Sequence, residues 1–192
     1  MDIESAHRIA SSASRVDPGS FYGAADKLAP GVGLIFDRVE FPLFDAEAKR
    51  FAVKSGLVYV ISHECDLDPA NDRMLNELAV VCPITKLEDF ITAAEGLDDG
   101  VITGFIDALA ARNVSRAVYL PPMASVLPYG GFLYLNSISH THISKLTADD
   151  VSPVGCVTSR GLMVIDYALE QHLRRPKADR LPLASDAPHL AN

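Results

Sequence analysis

Short apolar runs separated by polar and turn-forming segments dominate the first half of the chain, and they predict strands. Residues 57–62 (LVYVIS) and 78–83 (LAVVCP) are almost continuously apolar, which is typical of strands buried on both faces in the middle of a sheet. Residues 31–41 (GVGLIFDRVEF) carry apolar side chains at alternate positions and predict a strand. The polar residues 44–50 that follow predict a loop. We expect the strands at 57–62 and 78–83 to form a hairpin with a long connection.

Helical spacing replaces this pattern in two later segments. Residues 88–112 carry apolar side chains at intervals of three and four, which predicts an insertion of two helices between strands. Residues 160–175 show the same spacing and end before Pro176, so we predict a C-terminal helix there with Leu173 on its buried face. Shorter apolar runs predict further strands at 117–120, 132–138 and 154–157.

The proportions of apolar and charged residues suit a single domain with a substantial core. The chain has 192 residues, of which 48% are hydrophobic and 22% are charged. We predict a helical N-terminal extension over residues 1–30 and a principal domain over residues 31–183. Residues 184–192 have little to bury, and we predict a disordered tail there.

Charge and cysteine content narrow the range of functions and the compartment. The formal net charge is −8, and a surface that is acidic throughout repels phosphate backbones, which disfavours broad nucleic-acid binding. Three cysteines without close spacing do not form a disulfide pattern, so we expect a cytoplasmic protein. We expect no association with a membrane, because no apolar run approaches the roughly 20 residues that span a bilayer.

Histidine and cysteine recur at alternate positions in two places. His63 and Cys65 follow the predicted strand at 57–62, and His140 and His142 lie in a later extended segment. Alternate residues of a strand share a face, so these four side chains would form a tetrahedral zinc site if the two segments meet. The alternatives are a structural or hydrogen-bonding role, or a nucleophilic Cys65 with a histidine as its base. Our first expectation is that the protein needs no cofactor, and zinc is the alternative.

Charged side chains at two further positions are candidates for binding a ligand. Glu64 and Asp66 belong to an acidic segment after the same strand, although Asp66 also suits a turn in which it caps backbone amides. Arg174 and Arg175 begin a cationic run at the end of the predicted C-terminal helix. Such a run is usually a solvated helix end, but it can also dock a phosphate or an acidic partner.

Several segments, taken in order, resemble the start of the MazF/PemK-like toxin family. They are a strand that opens with Gly (31–41), a polar loop, a strand ending in Ser (57–62), and a strand that leads into Pro, Ile and Thr at 83–85. Residues 131–146 are similar to the strand with which such toxins return to the barrel. The resemblance implies an α+β fold in which an SH3-like, partly open β-barrel carries the helical insertion and the C-terminal helix.

The resemblance also implies roles for particular residues, because the family cleaves RNA with a hydroxyl group and a basic side chain. Thr85 matches the position of the hydroxyl. The family's arginine precedes the second strand, and Gly56 stands near that position here. Arg50 and Lys54 are the nearest cations, and lysine lacks the planar fork with which arginine holds two phosphate oxygens.

Two classes of function therefore follow from the sequence. The first is a non-catalytic binding module on a toxin-like barrel, within a bacterial toxin or stress-response system, whose partner is another protein or a second copy of the chain. The second is an endoribonuclease toxin that cleaves single-stranded RNA with Thr85 and either Arg50 or Lys54. The chain also resembles an uncharacterised bacterial group through residues 62–68 (SHECDLD) and 172–182 (HLRRPKADRLP), which implies no particular activity.

Overall fold

The computed structural model describes residues 1–14, 16–24, 30–68, 77–148 and 151–174 and has an α+β fold, as predicted. The helices are α1 (Ile3–Ala13), α2 (Pro18–Phe21), α3 (Glu64–Leu67), α4 (Leu87–Ala93), α5 (Asp99–Ala110), α6 (Ser144–Thr147) and α7 (Ser159–Leu173). The strands are β1 (Tyr22–Gly23), β2 (Leu34–Asp45), β3 (Arg50–Val60), β4 (Leu78–Lys86), β5 (Ala117–Leu120), β6 (Gly131–Tyr134), β7 (Ser139–His142) and β8 (Gly155–Val157).

All eight strands belong to one antiparallel sheet. Its order is β1-β8-β2-β3-β4-β6-β5, and β7 pairs with β4 as well. Val81 of β4 pairs with Val60 of β3 and also with Ser139 of β7, so β3 and β7 lie on opposite edges of β4. Among the described residues, the end strands β1 and β5 do not pair with each other, and the sheet is therefore open rather than closed into a barrel.

A side-chain hydrogen bond links strand β7 to strand β2. The Ser139 hydroxyl on β7 donates to the carbonyl oxygen of Pro42 on β2 at 2.6 Å. Nearby, the Lys145 ammonium lies 2.9 Å from a Glu40 carboxylate oxygen, and this ion pair lowers the pKa of Glu40. These contacts hold β7 and the residues after it close to β2, although no strand pairing joins β2 to β7 within the described ranges.

The β2–β3 hairpin continues past the point where β3 stops pairing with β4, and two features lie at this level. One is a bulge in β2 between Phe36 and Val39, where Arg38 has a φ of 57° and its N–H donates to the Asp37 carboxylate. Bulges bend a strand and strengthen its twist. The other is Pro83, at which the pairing between β3 and β4 ends. We call residues 39–45 of β2 together with residues 50–56 of β3 the arm.

Three apolar clusters pack against the sheet. Tyr59 and Cys82 belong to the cluster that α7 covers with Ile165. Val58 and Val81 point to the opposite face, where they pack in a second cluster inside the curve of the sheet. The third cluster joins α1, α4 and α5 to β5 and β6, and it contains Leu87, Ile102, Ile106, Tyr119 and Phe132.

The two central strands agree with the sequence analysis. Residues 58–60 of β3 pair with residues 81–83 of β4, and Val58, Tyr59 and Val60 are fully buried, as the continuous apolar runs predict. The antiparallel pairing of β3 with β4 agrees with the predicted hairpin. The loop prediction for residues 44–50 is wrong at its ends, because β2 continues to Asp45 and β3 begins at Arg50.

The helices also follow the predicted pattern, with some differences in detail. Helices α4 and α5 lie where the spacing of residues 88–112 predicts two helices, and α7 lies within a residue or two of the predicted C-terminal helix. Leu173 is 69% exposed rather than buried, since it belongs to the last turn of α7. The strand predicted at 132–138 ends at Tyr134, where a 3₁₀ turn separates β6 from β7.

No helix in the described ranges is long and apolar enough to span a bilayer. The predicted division of the chain at residues 30 and 183 stays a prediction. The predicted tail, 184–192, lies outside the described residues.

Replacing Ile165 by Ala tests how strongly α7 is attached to the sheet. Ile165 is fully buried in the cluster that contains Tyr59. We expect Ile165→Ala to lower the free energy of unfolding by about 2 to 5 kcal/mol, because it leaves a cavity as well as losing apolar contacts. Urea denaturation followed by circular dichroism measures the change.

Met163→Ala is the matched control on the same helix. Met163 is 73% exposed, and its replacement should change the free energy of unfolding by no more than about 0.5 kcal/mol. Equal effects of the two substitutions would show that α7 does not pack on the sheet through Ile165.

Candidate functional site

A cleft of about 670 Å³ opens between the arm and the two helices α4 and α5. Strands β4 and β6 contribute its remaining walls. Its lining residues come from the arm, from β4, from the two helices and from β6 and the turn after it: Phe41, Leu43, Lys54, Pro83, Ile84, Thr85, Asp89, Phe90, Phe105, Phe132, Tyr134 and Ser137. We call this the cleft.

The cleft lies where β3 and β4 separate. Val58 pairs with Pro83, and the pairing does not continue to the next residues along either strand. The Val80 carbonyl oxygen accepts a hydrogen bond from the Ile61 N–H, so alternate residues of β4 face β3 and the peptide nitrogen of Pro83 lies on the opposite edge, toward β6 and β7. Beyond Pro83, β3 continues into the arm while β4 continues along β6 through Ile84 and Thr85. The space between the diverging strands is the cleft.

Two of the predicted catalytic residues, Lys54 and Thr85, line this cleft together. Lys54 comes from the arm, where it pairs with Phe41 of β2, and Thr85 comes from β4, where it pairs with Phe132 of β6. The structure thus brings a cation and a hydroxyl, 31 positions apart in the sequence, to one concave surface.

Aromatic rings form the apolar wall of the cleft. The Phe90 and Phe105 ring centroids are 5.0 Å apart, and the Phe132 ring meets both in edge-on contacts with centroids 5.7 Å and 6.0 Å away. Phe132 is almost fully buried, and Phe41 on the arm is too. The three packed rings fix the shape of this wall.

Polar side chains lie around the apolar wall. The Lys54 side chain is 54% exposed, and its ammonium lies 4.0 Å from a carboxylate oxygen of Asp45. The pKa of Asp45 is lowered mainly because its carboxylate accepts a hydrogen bond from the backbone N–H of Ala48. Asp89 is an acidic lining residue on α4. The Tyr134 hydroxyl accepts a hydrogen bond from the Asn136 amide at 3.1 Å.

Arg50, the third predicted catalytic residue, does not line the cleft. It pairs with Asp45 at the far end of the hairpin. Gly56 lies at the base of the arm, and a Cβ atom added there would meet no heavy atom within 4 Å. Gly56, which stands near the position of the arginine in the MazF/PemK-like family, therefore faces space that no other atom occupies.

The four predicted zinc ligands are not brought together. His140 and His142 lie on β7, opposite Val80 and Leu78 of β4, whereas His63 follows β3 on the other edge of β4. Two strand spacings of roughly 4.8 Å each therefore separate the two sets of histidines. In the described part of the chain, no group of three or more His, Cys, Asp or Glu side chains is placed to hold a metal ion.

Each half of that predicted site makes local contacts instead. Nδ1 of His63 lies 3.2 Å from the Cys65 Sγ and 3.2 Å from a Glu64 carboxylate oxygen. Nδ1 of His142 accepts a hydrogen bond from the backbone N–H of Ser144, and the Ser144 hydroxyl lies 2.7 Å from the same nitrogen.

The predicted ligand-binding residues lie away from the cleft lining. Glu64 and Asp66 belong to α3, where the Asp66 N–H donates to the His63 carbonyl oxygen. The Arg174 guanidinium forms an ion pair with Glu170 at 2.6 Å, one helical turn earlier. Arg175 lies outside the described residues.

Sequence reasoning did not find most of the cleft. Phe90 and Phe105 fit the spacing of buried helix faces, and Phe132 fits a buried strand, so nothing marked them as parts of a binding surface. Pro83, at which the pairing of β3 with β4 ends, fits the apolar run of a buried strand and did not mark the cleft either.

Comparison with known proteins adds no assignment, since no family model matches the chain and no curated protein matches it. The likeness to the MazF/PemK-like family stays a prediction. The geometry of the cleft is therefore the basis for the functional proposal.

The cysteines provide a test of the burial pattern around the site. Cys82 is fully buried, and burial raises the pKa of its thiol to about 12, so at pH 8 only about one molecule in ten thousand carries the reactive thiolate. We expect iodoacetamide to alkylate exposed Cys65 in the native protein and to reach Cys82 only in urea. Mass spectrometry of tryptic peptides measures the extent of alkylation at each of the two cysteines.

Cys65→Ser should remove the fast phase of alkylation and leave Cys82 protected. If Cys82 in the native protein reacted as quickly as Cys65, the central strands could not be packed as the structure has them.

Proposed function

We propose that this protein is a non-catalytic binding module and that the cleft is its ligand site. The observation that carries the proposal is the composition of the cleft, in which aromatic and aliphatic side chains form the walls and a few polar groups stand around them. Mostly apolar concave surfaces with a small number of orienting polar groups are typical of binding sites. The SH3-like arrangement expected from the resemblance is part of this proposal. The strand order β2-β3-β4-β7 and the hydrogen bond from Ser139 of β7 back to Pro42 of β2 support it.

The charges in the cleft favour binding over RNA cleavage. A phosphorane transition state needs concentrated positive charge, but Lys54 is the one cation among the lining residues, and Asp89 is also among them. Asp45 lies 4.0 Å from the Lys54 ammonium. No guanidinium is available at Gly56, and Arg50 is at the far end of the arm.

A second candidate function is the endoribonuclease, and one observation favours it. Lys54 and Thr85 line the same cleft, which is the pairing of a cation and a hydroxyl that the resemblance requires. In this reading Lys54 stabilises the charged phosphate, and Thr85 positions it through its hydroxyl.

An RNA cleavage assay separates the two functions. Purified protein is incubated with a mixture of single-stranded RNA oligonucleotides, and the products are resolved on a denaturing gel. The binding module predicts that the wild-type protein gives no more product than a mock preparation purified in parallel.

Substitutions in the cleft show whether any RNA cleavage that is observed depends on cleft residues. Cleavage by the wild-type protein that falls at least about 100-fold in both Thr85→Ala and Lys54→Ala would contradict the binding module. Arg50→Ala is the matched control, because it removes a cation of the arm outside the cleft, and under the endoribonuclease reading it should keep its activity.

A further inference from the structure

We propose that the ligand of the cleft is an uncharged peptide segment in extended conformation, which binds as an additional strand where β3 and β4 separate. This inference rests on the proposed function and gives the chemical class of the partner. It follows from the backbone edges that this separation leaves unpaired, from the apolar side chains on both faces of the arm, and from the balance of charge around them.

The first step is the unpaired backbone of the arm. Residues 50–56 of β3 pair with β2, whereas pairing with β4 begins only at Val58, and among the described residues no other strand covers this stretch. Seven extended residues present about 24 Å of strand edge. Because the Ile61 N–H donates to the Val80 carbonyl oxygen, every second residue before Ile61 directs its N–H and C=O groups to this side of β3. In the arm these residues are Phe51, Val53 and Ser55.

The second step is the backbone on the opposite side of the gap. Along β4, every second residue from Val80 directs its N–H and C=O groups toward β3, and Ile84 is one of them. Strands β6 and β7 pair with the other edge of β4, so within the described ranges no strand covers the Ile84 groups. Another extended backbone matches such edges through main-chain hydrogen bonds, which a lipid cannot supply.

The third step is the position of the cleft beside the arm. Lys54 lines the cleft, and so do Phe41 and Leu43, which lie opposite Lys54 and Ala52 in the hairpin. A strand added beside residues 50–56 would direct every second side chain to this same face. Those side chains would enter the cleft, whose walls are aromatic and aliphatic.

The other face of the arm is apolar as well. Phe51 is 74% exposed and Val53 is 71% exposed, and the Phe51 ring meets the Phe44 ring with centroids 5.6 Å apart. Edge strands that remain single usually carry charges or proline instead of such side chains. The remaining side chains of an added strand would lie beside Phe51 and Val53 and cover part of their apolar surface. The ligand therefore suits apolar residues on both faces.

The charges around the gap are balanced and favour an uncharged segment. The arm carries two carboxylates and two cations, which are Glu40, Asp45, Arg50 and Lys54. Among the residues that line the cleft, Lys54 is the one cation and Asp89 is the one carboxylate. The Lys54 ammonium already has an Asp45 oxygen 4.0 Å away. A charged side chain placed against the apolar wall would therefore lose its hydration without gaining a free opposite charge.

A second copy of the chain fits this gap less well. In a two-fold antiparallel pairing of two arms centred on Val53, the Lys54 side chain of each copy would lie opposite Ala52 of the other, on the cleft face. The two Lys54 side chains would then be diagonal neighbours beside apolar walls, and like charges so placed destabilise a sheet. RNA is disfavoured because it brings one phosphate charge per nucleotide to a cleft lined by a single cation.

Fluorescence anisotropy with synthetic peptides tests the inference. The probe is a fluorescein-labelled nonapeptide in which valine alternates with threonine, and it is titrated with the full chain. Replacing every valine by serine should weaken binding at least about tenfold, because the peptide loses the apolar side chains that the cleft would bury. Peptides with glutamate or lysine in place of threonine should bind no more tightly than the probe, since neither charge finds a free partner.

Two N-methylated probes test the pairing of the backbone. One carries N-methyl groups on all valines and the other on all threonines, so each lacks the N–H groups of one strand edge. At least one of them should bind at least about tenfold more weakly than the unmodified probe, because several main-chain hydrogen bonds are lost together.

A proline in the arm locates the site on the protein. Val53→Pro removes an N–H that points away from β2 and places a ring on the open edge, so it should weaken binding of the probe at least about tenfold. Val53→Ala is the matched control, because it shortens the same side chain but keeps the N–H, and it should weaken binding no more than about threefold. Thermal melts followed by circular dichroism verify that both variants are folded, and the N-methylated probes test the same pairing on the unaltered chain.

Each outcome decides for or against the inference. No saturable binding of the probe, equal binding of the serine peptide, tighter binding of a charged peptide, no effect of either N-methylation, or equal weakening by the two substitutions at Val53 would overturn it. So would tight binding of a labelled uridine dodecamer with no binding of the probe. Sedimentation that shows a dimer of the unliganded chain, which Val53→Pro dissociates, would assign the edge to a second copy instead.

Failure of the binding module is a separate result. RNA cleavage that depends on Thr85 defeats that proposal whether or not a peptide binds.

Discussion

The separation of β3 from β4 at Pro83 is the constraint on which the cleft depends. Val58 and Pro83 form the last pair between the two strands, and from Ile84 onward β4 pairs with β6. The β2 bulge at Arg38 lies at the same level and bends the other strand of the hairpin. The β2–β3 hairpin therefore has a packed part, in which β3 pairs with β4, and the arm, in which it does not.

The two parts of β3 consequently experience different environments. Val58, Tyr59 and Val60 are fully buried between neighbouring strands, and they anchor the apolar clusters on both faces. Phe51 and Val53 on the arm are largely exposed. The buried part stabilises the fold, while the arm presents the unpaired backbone of residues 50–56 beside an apolar wall. A binding function uses both parts, because the packed centre fixes the position of the exposed edge beside the apolar wall.

The sequence predicted the centre of the fold well and the candidate site poorly, for physical reasons. Continuous apolar runs such as 57–62 carry a strong signal because burial on both faces excludes polar residues. The arm gave no such signal, since its exposed strands mix Phe51 and Val53 with Lys54, and part of it was predicted as a loop. The zinc prediction placed His140 and His142 at alternate positions of one strand, as the structure has them. The sequence spacing does not show that β4 lies between this strand and the end of β3, which His63 follows.

Hydrogen exchange of the unliganded protein, followed residue by residue by NMR, tests the separation of β3 from β4 most directly. The account predicts strong protection of the amides of Val58, Tyr59 and Val60, and rapid exchange of those amides in residues 50–56 that point away from β2. Uniformly strong protection from residue 50 to residue 60 would contradict it, because the ladder would then continue past Pro83 and the edge of the arm would already be paired.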